Sequence, residues 1–418
     1  MKHGPLASWR SGAVATLVAL WLANSASAAA AAADDPGPLR IWTRSSNDGR
    51  RTYDAIAAAF TAKTGVRVEY FNATTDFEQR LARAAVGRDL PDVIINDGGS
   101  LGQFVNMGIV SPIVRSDIAG GADLHERAWR TATLPDGRVF AVPTSAQAHV
   151  LFIRKDWRTR LGLPVPQTWD EVAVLAKAFT ERDPDGNGRA DTYGFVFPGS
   201  TARGYTAWFM SSFLYQAGGD FVRQGADGRS RGALTEPAAL QTLAFFKRLL
   251  CDDKSAQAGA INATTQEANR AFISGQAGIY LSGPYHIALF DKEPGAANVE
   301  VVPAPAGPSG VRATLAGGEL AFITRTTRRR TDATRFIEFL MSPQGQFLGT
   351  RPPPGGLPVV RLPFGTLSSF GLAFSSAFSS GFDFIGPAPV VLPARRRSSS
   401  SAPAGRRPRC CCSAPASR

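Results

Sequence analysis

Apolar segments alternate with helical patterns between residues 39 and 97, and this alternation is the feature that most restricts the fold. The first helical pattern places Tyr53, Ile56 and Phe60 on one face. The second begins at Thr75, with Glu78 three residues later as in a capping box. The strand candidates around them are Leu39–Thr43, Val66–Tyr70 and Asp92–Asp97. This order predicts a parallel sheet covered by helices, in which a ligand binds beyond the carboxyl ends of the strands.

Later segments continue the mixture of helix and strand. Thr168 and Glu171 form another capping-box pattern ahead of an apolar helical face. The segment Val139–Trp157 is predicted to be extended and is a candidate crossing into a second lobe. Further candidates are helices at Ala238–Leu250 and Thr264–Gly275, and strands at Ala277–Tyr285 and Glu319–Thr324. After about Val360 the chain is rich in Ser, Pro, Ala and Arg. Its apolar residues follow neither the helical period nor the alternation of a strand, and we predict no regular structure there.

Composition bounds the size and the partners of the chain. Its 418 residues, 44% of them hydrophobic, are enough for two lobes or domains rather than one. The formal net charge is +12, but residues 351–418 hold nine Arg and one Asp and so carry most of it. The body of the chain therefore has no basic stripe, and the high pI is no argument for nucleic-acid binding.

The N-terminus has the pattern of a secretory signal. Lys2 and Arg10 precede the apolar run Gly12–Ala23, and Ala26–Ala28 has the small residues of a cleavage site. The run is about half of the roughly 20 residues that a membrane span needs, although an anchor is the alternative. We predict that residues 1–28 are a signal peptide and that the protein is exported to the periplasm.

Several segments, taken together and in order, resemble a known family over roughly Leu39 to Val360. They are LPDVIINDGGSLGQFVNMGIVSPI, AVPTSAQAHVLFIRKDW, LGLPVPQTWDEVAVLAKAF, DPDGNGRADTYGF, GQAGIYLSGPY, VVPAPAGPSGVRATLAGGELAFIT and ATRFIEFLMSPQGQ. The chain is similar to the extracellular solute-binding proteins of ABC importers, in the sugar-binding group that includes maltose-type binding proteins. The resemblance implies a two-lobed α/β fold of the periplasmic-binding-protein type II, with a hinge and a cleft between the lobes that holds the solute.

The resemblance also implies a division of the chain and a set of partners. Lobe 1 would hold residues 38–149 and 318–350, and lobe 2 residues 150–317. The partners would be a sugar and the membrane subunits of the importer, with a monomeric protein and no cofactor. Residues 361–418 depart from the family pattern, which continues with helices. We hypothesise a frameshift near Arg361, which resequencing would test, and a genuine disordered tail is the alternative.

Aromatic residues are the first candidates for the binding site, because a sugar has an apolar face that packs on flat rings. Tyr205 and Trp208 are three residues apart, which places them on one side of a helix, and they stand where the family has cleft aromatics. Tyr285 stands where relatives often carry Trp. The alternatives are that the first two are core residues and that Tyr285 lies in a surface turn.

Polar candidates lie at strand ends and at the second crossing between the lobes. Arg44 follows the first strand and is placed to make forked hydrogen bonds or to steer an acidic sugar. Asn96 and Asp97 end the third strand, and Gly98 after them would let a ligand approach. At the second crossing the candidates are Gly318, with a hinge as its alternative role, and Glu319. A solvated arginine and a simple turn are the alternatives for the strand ends.

The acidic loop Asp183–Asp191 resembles a calcium loop, with Asp183, Asp185 and Asn187 at the first ligand positions. Position 12 is Gly194, so the bidentate Glu is missing. We interpret the loop as a tight turn held by Asx hydrogen bonds, with a bound cation as the alternative, and we predict no metal site.

A secreted, carbohydrate-active hydrolase is the second functional hypothesis. Gly98–Gly102 matches the G-x-S-x-G pattern around Ser100, although a plain turn fits it as well. A glycosidase needs two facing carboxylates, and the Asp and Glu residues are scattered enough to leave such a pair open. We predict a binding protein and no catalytic residues. Within the binding class, glycerol phosphate or a polyamine is the alternative to sugar.

Overall fold

The computed structural model of this chain describes residues 37–45, 47–73, 76–124, 126–350 and 383–385. In its first part, strand and helix alternate as the sequence predicts. The elements are β1 (Leu39–Thr43), α1 (Asn47–Thr64), β2 (Val68–Asn72), α2 (Phe77–Val86) and β3 (Val93–Asp97). β1 pairs in parallel with both β2 and β3, which confirms the predicted parallel sheet. The predicted capping residue Thr75 lies outside the described residues.

Two strands from later in the chain, β4 (Val142–Pro143) and β13 (Glu319–Ile323), complete this first sheet. The strand order is β2-β1-β3-β13-β4, and β13 runs antiparallel to both β3 and β4. The helices on this side are α3 (Leu101–Asn106), α4 (Glu126–Thr131), α11 (Arg330–Met341) and α12 (Pro343–Thr350). Phe60 of α1 meets Phe336 of α11 edge-on, with ring centroids 5.2 Å apart. One hydrophobic core therefore joins the beginning of the chain to residues near 340.

A second sheet has its own hydrophobic core. Its strands are β6 (Val150–Arg154), β7 (Tyr193–Val196), β10 (Ala277–Ser282) and β11 (Val299–Val302), and they lie in the order β11-β6-β10-β7. The helices around it are α5 (Lys155–Arg160), α6 (Trp169–Glu181), α7 (Tyr205–Gln216), α8 (Pro237–Lys247), α9 (Thr265–Ile273) and α10 (Ile287–Phe290). A hairpin of β8 (Val222–Gln224) and β9 (Ser230–Gly232) stands apart from it. Two sheets with separate cores give the predicted two-lobed α/β fold.

Helix starts and strand ends test the sequence predictions in detail. The Thr168 side chain accepts a hydrogen bond from the Glu171 backbone at the start of α6, as predicted. Thr264 makes a full capping box with Glu267 at the start of α9. The extended prediction for 139–157 is wrong at its end, because Trp157 packs into the core from α5. The segment Ala277–Tyr285 is a buried strand to Ser282 followed by a short 3-10 turn that holds Tyr285, as expected of a strand that ends at a turn.

The chain passes between the two cores through paired extended segments. β5 (Gln147–Ala148) runs antiparallel to β12 (Ala313–Gly317), with Ala148 opposite Ala316. β12 also pairs in parallel with β14 (Asp383–Ile385). The prediction of no regular structure in the tail is therefore wrong for these three residues, since they add a strand to the crossing. The rest of 361–418 lies outside the described residues. Among the helices that the structure describes, none is long and apolar enough to cross a membrane.

Buried polar groups tie α7 to the crossing segments. The hydroxyl of Ser212, on α7, accepts a hydrogen bond of 2.9 Å from the backbone of Leu315 and lies 3.1 Å from Nδ1 of His149. Thr314 donates to the carbonyl of His149 at 2.8 Å. Ser212, His149 and Thr314 are all buried, so each bond replaces one that water would otherwise supply. We call these three residues the crossing cluster.

Removing the Ser212 hydroxyl should destabilise the protein more than removing its neighbour. Ser212→Ala leaves the buried N–H of Leu315 without its acceptor, which costs about 1–3 kcal/mol. Ser211→Ala is the matched control, because Ser211 is also buried but only adds a bond to the carbonyl of Trp208. Urea unfolding of both variants measures the difference, and equal losses would contradict the assigned role.

Candidate functional site

Three strand ends meet at one edge of the first sheet and bring three charged residues together. Glu319, the first residue of β13, lies directly opposite Asp97, the last residue of β3. Arg44 follows β1, and its backbone N–H donates to Ile95 on β3 at 3.1 Å. The guanidinium of Arg44 forms an ion pair with Asp97. Arg44, Asp97 and Glu319, which we call the acidic edge, thus lie where the sequence predicts a ligand.

A second carboxylate also approaches the arginine. Oε1 of Glu78, on α2, lies 3.5 Å from Nε of Arg44. The guanidinium is mostly buried, with 21% of the side chain exposed, so it is held by the two acids rather than extended into solvent. This differs from the solvated arginine that was the alternative in the sequence.

Glu319 is held by a tyrosine that the sequence analysis assigned only to the core. The hydroxyl of Tyr53, on α1, donates to Oε2 of Glu319 at 2.7 Å. Burial raises the pKa of Glu319 to about 7; the Tyr53 hydrogen bond and Arg44 oppose the rise, while the charge of Asp97 adds to it. Burial, followed by the charge of Glu319, also raises the pKa of Tyr53, so this hydroxyl stays a donor. The ring of Tyr53 is stacked on Tyr70 at 5.8 Å between centroids.

Glycine is required at the second crossing. The backbone N–H of Gly98 donates to the carbonyl of Gly318 at 2.9 Å, which extends the β3–β13 pairing beyond Asp97. A Cβ at Gly318 would lie 1.9 Å from the carbonyl oxygen of Ser145, whereas one at Gly98 would meet only ordinary contacts of 3.6 Å. The Ser145 hydroxyl in turn accepts from the backbone of Glu319 at 3.0 Å. Gly318 thus lets the two crossing segments touch and positions Glu319.

Asn96 is placed differently from its neighbours. Only 1% of Asn96 is exposed to solvent, and its Oδ1 accepts a hydrogen bond of 2.9 Å from the backbone N–H of Asp97. Its Nδ2 is buried without a partner among the described residues. Asn96 therefore lies behind the acidic edge and not on its surface.

Aromatic side chains form the opposite part of the site, on the second lobe. Tyr205 and Trp208 lie in the first turn of α7, as predicted, and both are half-buried. The ring of His149 meets Trp208 edge-on at 6.0 Å and stacks on Phe209 at 5.6 Å. Burial lowers the pKa of His149 to about 3, so its imidazole is neutral at physiological pH. Trp208 is thereby fixed against an uncharged support that belongs to the crossing cluster.

Tyr285 lies beside these aromatics, hydrogen-bonded to Trp208, and the charge of Asp97 acts on it. The hydroxyl of Tyr285 lies 3.4 Å from the hydroxyl of Ser282. The Ser282 hydroxyl in turn lies 2.8 Å from Nδ1 of His286. Burial is the main cause that raises the pKa of Tyr285; hydrogen bonds from Ser282 and Trp208 oppose the rise, and the charge of Asp97 adds to it. Asp97 on the first lobe is therefore near enough to Tyr285 on the second to act on its hydroxyl. Of the predicted site residues, Arg44, Asp97 and Glu319 form the acidic edge, Gly98 and Gly318 flank it, and Tyr205, Trp208 and Tyr285 lie on the second lobe.

Sequence reasoning missed four residues that support the site: Tyr53, Ser145, His149 and Ser282. Tyr53 was recognised by its helical spacing, but the pattern does not show that its hydroxyl reaches Glu319. His149 lies in a segment quoted for the family resemblance, and that was the one available signal for it. Ser145 and Ser282 act through contacts to residues far along the chain or beyond a turn, which spacing does not reveal.

The serine of the G-x-S-x-G pattern is part of a turn. The hydroxyl of Ser100 donates to the carbonyl of Asp97 at 2.7 Å, and Gly98–Ser100 form a 3-10 turn ahead of α3. His149 and His286 are buried in the second lobe, and His125 lies outside the described residues. This geometry gives Ser100 a structural partner rather than the general base that a nucleophile needs.

The acidic loop forms the tight turn that the sequence favours. The carboxylate of Asp183 accepts hydrogen bonds from the backbone of Gly186, Asn187 and Gly188 at 2.9–3.1 Å. These bonds occupy the oxygens that would bind a cation and lower the pKa of Asp183, with Gly188 as the largest cause. Within the described part of the chain, no group of three or more His, Cys, Asp or Glu side chains is arranged to hold a metal ion.

Known proteins resemble this chain in sequence and in fold. The family model of the bacterial extracellular solute-binding proteins matches residues 44–347. The fructooligosaccharide ABC transporter substrate-binding protein FusA of Streptococcus pneumoniae is 27% identical over 187 residues, which are 40% of this chain and 35% of FusA. A putative binding protein of Brucella abortus is 23% identical over 79% of this chain and 77% of its own length. Maltose-bound MalE3 of T. maritima has a TM-score of 0.72 at 21% identity, covering 85% of this chain and 90% of that one.

Adding a methyl group at Gly318 should disturb both the fold and the acidic edge. Gly318→Ala drives a Cβ into the carbonyl of Ser145 and should lower the free energy of unfolding by about 1–3 kcal/mol or more. Gly99→Ala is the control, since a Cβ there has nothing within 4 Å. Thermal unfolding of the two variants measures the effect, and a Gly318→Ala protein as stable as the control would refute the close approach.

Glu319 should make stability depend on pH between about 4.5 and 7. The carboxyl keeps its proton up to a pKa of about 7 in the folded protein, whereas its ordinary value is 4.5. The folded state therefore holds a proton that the unfolded state has released, and its stability falls as the pH rises through this window. The loss is on the order of 3 kcal/mol, since the pKa differs by about 2.5 units and one unit corresponds to about 1.4 kcal/mol.

Glu319→Gln tests this, because glutamine cannot ionise. Urea unfolding at pH 5 and pH 8 should show a smaller decline for the variant than for the wild type. Glu181→Gln, on the exposed end of α6, removes one carboxylate elsewhere and should keep the full decline. A wild-type decline that Glu319→Gln does not reduce would assign the pH dependence to other groups.

Proposed function

This chain belongs to the bacterial extracellular solute-binding proteins, and we propose that it binds a sugar or oligosaccharide between its lobes for import by an ABC transporter. The single observation that carries the proposal is that the charge of Asp97, in the acidic edge, acts on Tyr285, which is hydrogen-bonded to Trp208. This influence supports a shared site for the acidic edge and the aromatic side chains. Flat rings suit the C–H face of a sugar, and fixed polar groups suit its hydroxyls.

The proposal assigns roles to the site residues. Trp208, Tyr205 and Tyr285 stack on the sugar ring, and Arg44, Asp97 and Glu319 bond its hydroxyls. Gly98 and Gly318 keep the backbone close enough for ligand to approach, and Asn96 supports Asp97 from behind. The lobes are 38–149 with 318–350, and 150–317, and closure of one on the other is a hinge motion about the paired crossings.

We also propose the setting in which the protein acts. Residues 1–28 direct export, and the mature protein works in the periplasm as a monomer. Its closed form is read by the membrane subunits of the importer. FusA, a substrate-binding protein of an ABC transporter, supports this assignment over its aligned segment.

Binding without turnover is favoured by the way the two carboxyls are held. Asp97 is paired with Arg44, and Glu319 accepts from Tyr53, so neither is presented as an unencumbered nucleophile or acid. The two side chains come from adjacent strands of one sheet, whereas the carboxyls of a glycosidase flank the scissile bond. Incubation with maltotriose and fructooligosaccharides, followed by chromatography, should return the sugars intact; released shorter sugars would favour the hydrolase.

A panel of ligands tests the proposed function. Neutral mono- and oligosaccharides, glycerol phosphate and spermidine are compared by thermal shift and then by calorimetry. A ligand at a hundred times its Kd stabilises the folded state by about 2.7 kcal/mol, which is a readily measured shift. Stabilisation by glycerol phosphate or spermidine, with none by any saccharide, would overturn the sugar proposal.

Trp208 should contribute strongly to affinity for any saccharide that binds. Trp208→Ala removes a stacking surface and should weaken binding at least tenfold, or about 1.4 kcal/mol. Trp208→Phe keeps a smaller ring and should lose less. Leu243→Ala, at an exposed position on α8, is the control and should bind as the wild type does. Calorimetry measures all three, and unchanged affinity in Trp208→Ala would remove Trp208 from the site.

A further inference from the structure

The acidic edge has more negative than positive groups. One guanidinium, that of Arg44, is shared by Asp97 and Glu78, which approach it from β3 and α2. Glu319 stands beside Asp97 in the register of the sheet but takes its hydrogen bond from an uncharged group, the Tyr53 hydroxyl. The four charged groups thus comprise three carboxyls and one cation.

The aromatic and imidazole side chains that the structure describes on the second lobe carry no positive charge to offset this excess. Trp208, Tyr205 and Tyr285 are uncharged, and burial keeps the imidazoles behind them neutral, with a pKa of about 3 for both His149 and His286. A ligand between the two sides therefore meets a surface that is neutral on one side and acidic on the other.

We infer that the site selects its saccharide by charge, binding an amino sugar best, a neutral sugar less well and a uronic acid worst, with Glu319 as the residue that discriminates. This rests on the proposed function, which it deepens by naming the class of sugar. It also reverses the expectation that Arg44 steers an acidic sugar, because that guanidinium is already held by two carboxylates.

Glu319 discriminates, rather than Asp97, because of their different partners. The charge of Asp97 is offset by its ion pair with Arg44. Glu319 has only a neutral donor, so once it has lost its proton its charge is not offset by an ion pair and can attract a ligand ammonium or repel a ligand carboxylate. Charges a few Å apart in a partly buried site interact several times more strongly than in water, so a preference of at least tenfold is expected.

The test compares sugars of different charge. Glucose, glucosamine and glucuronate share the gluco ring and form one set. Maltotriose, the glucosamine trimer and trigalacturonate are of equal length and form a second set. Calorimetry at pH 7.5, where Glu319 and the sugar amines are each partly charged, measures Kd for the wild type, for Glu319→Gln and for Glu181→Gln. We expect the amino sugar of at least one set to bind the wild type at least tenfold more tightly than the uronic acid.

The variants separate a specific role from a general effect of charge. Glu319→Gln should reduce the ratio between amino sugar and uronic acid at least threefold and still bind the neutral sugar. Glu181→Gln changes the net charge equally and should keep the ratio. Uronic acids that bind as tightly as amino sugars, or a ratio unchanged in Glu319→Gln, would overturn this inference while leaving sugar binding intact. If no sugar of any charge binds, the proposed function itself fails and the inference fails with it.

Discussion

The antiparallel pairing of β3 with β13 is the constraint on which the rest of the molecule depends. It places residues more than two hundred positions apart in direct register, with Glu319 opposite Asp97. Without it the first sheet would lack two of its five strands, and the acidic edge would not form. The same pairing continues into Gly98 and Gly318, where the backbone turns toward the other lobe. Fold, crossing and candidate site thus share one set of backbone hydrogen bonds.

Buried polar contacts connect the aromatic side to the same crossing. Ser212 lies one turn after Trp208 on α7 and binds the backbone of β12 through Leu315. His149 contacts both Trp208 and Ser212, and its own carbonyl accepts from Thr314. Unsatisfied members of such a network are costly in a low-dielectric interior, so the network favours one arrangement. The surface proposed to hold a ligand and the segments proposed to bend are therefore mechanically linked.

The sequence predicts where helices and strands lie better than it predicts how strands pair and which side chains contact each other. Local sequence patterns identified β1–β3 and the strand at Glu319, because each depends on neighbours along the chain, whereas Trp208 was singled out by the family resemblance. Strand register across the sheet is not encoded locally, so the alignment of Glu319 with Asp97 had to come from the structure. Tyr53 shows the same division: its spacing predicts a core ring, whereas the bond of its hydroxyl to Glu319 depends on a residue 266 positions away. Arg44 and Asp97 were each recognised as candidates, but the ion pairs of Arg44 with Asp97 and Glu78 were not predicted.

The discontinuous first sheet has a consequence for biosynthesis. Strands β1 to β3 are made early, yet β13 follows only after the whole second lobe has been synthesised. Until then β3, which is almost entirely buried in the finished protein and begins with three apolar residues, is an unprotected edge. Such edges recruit other strands, so a nascent or truncated chain that stops before residue 319 is prone to aggregate. A chaperone that covers this edge would protect the chain during the interval.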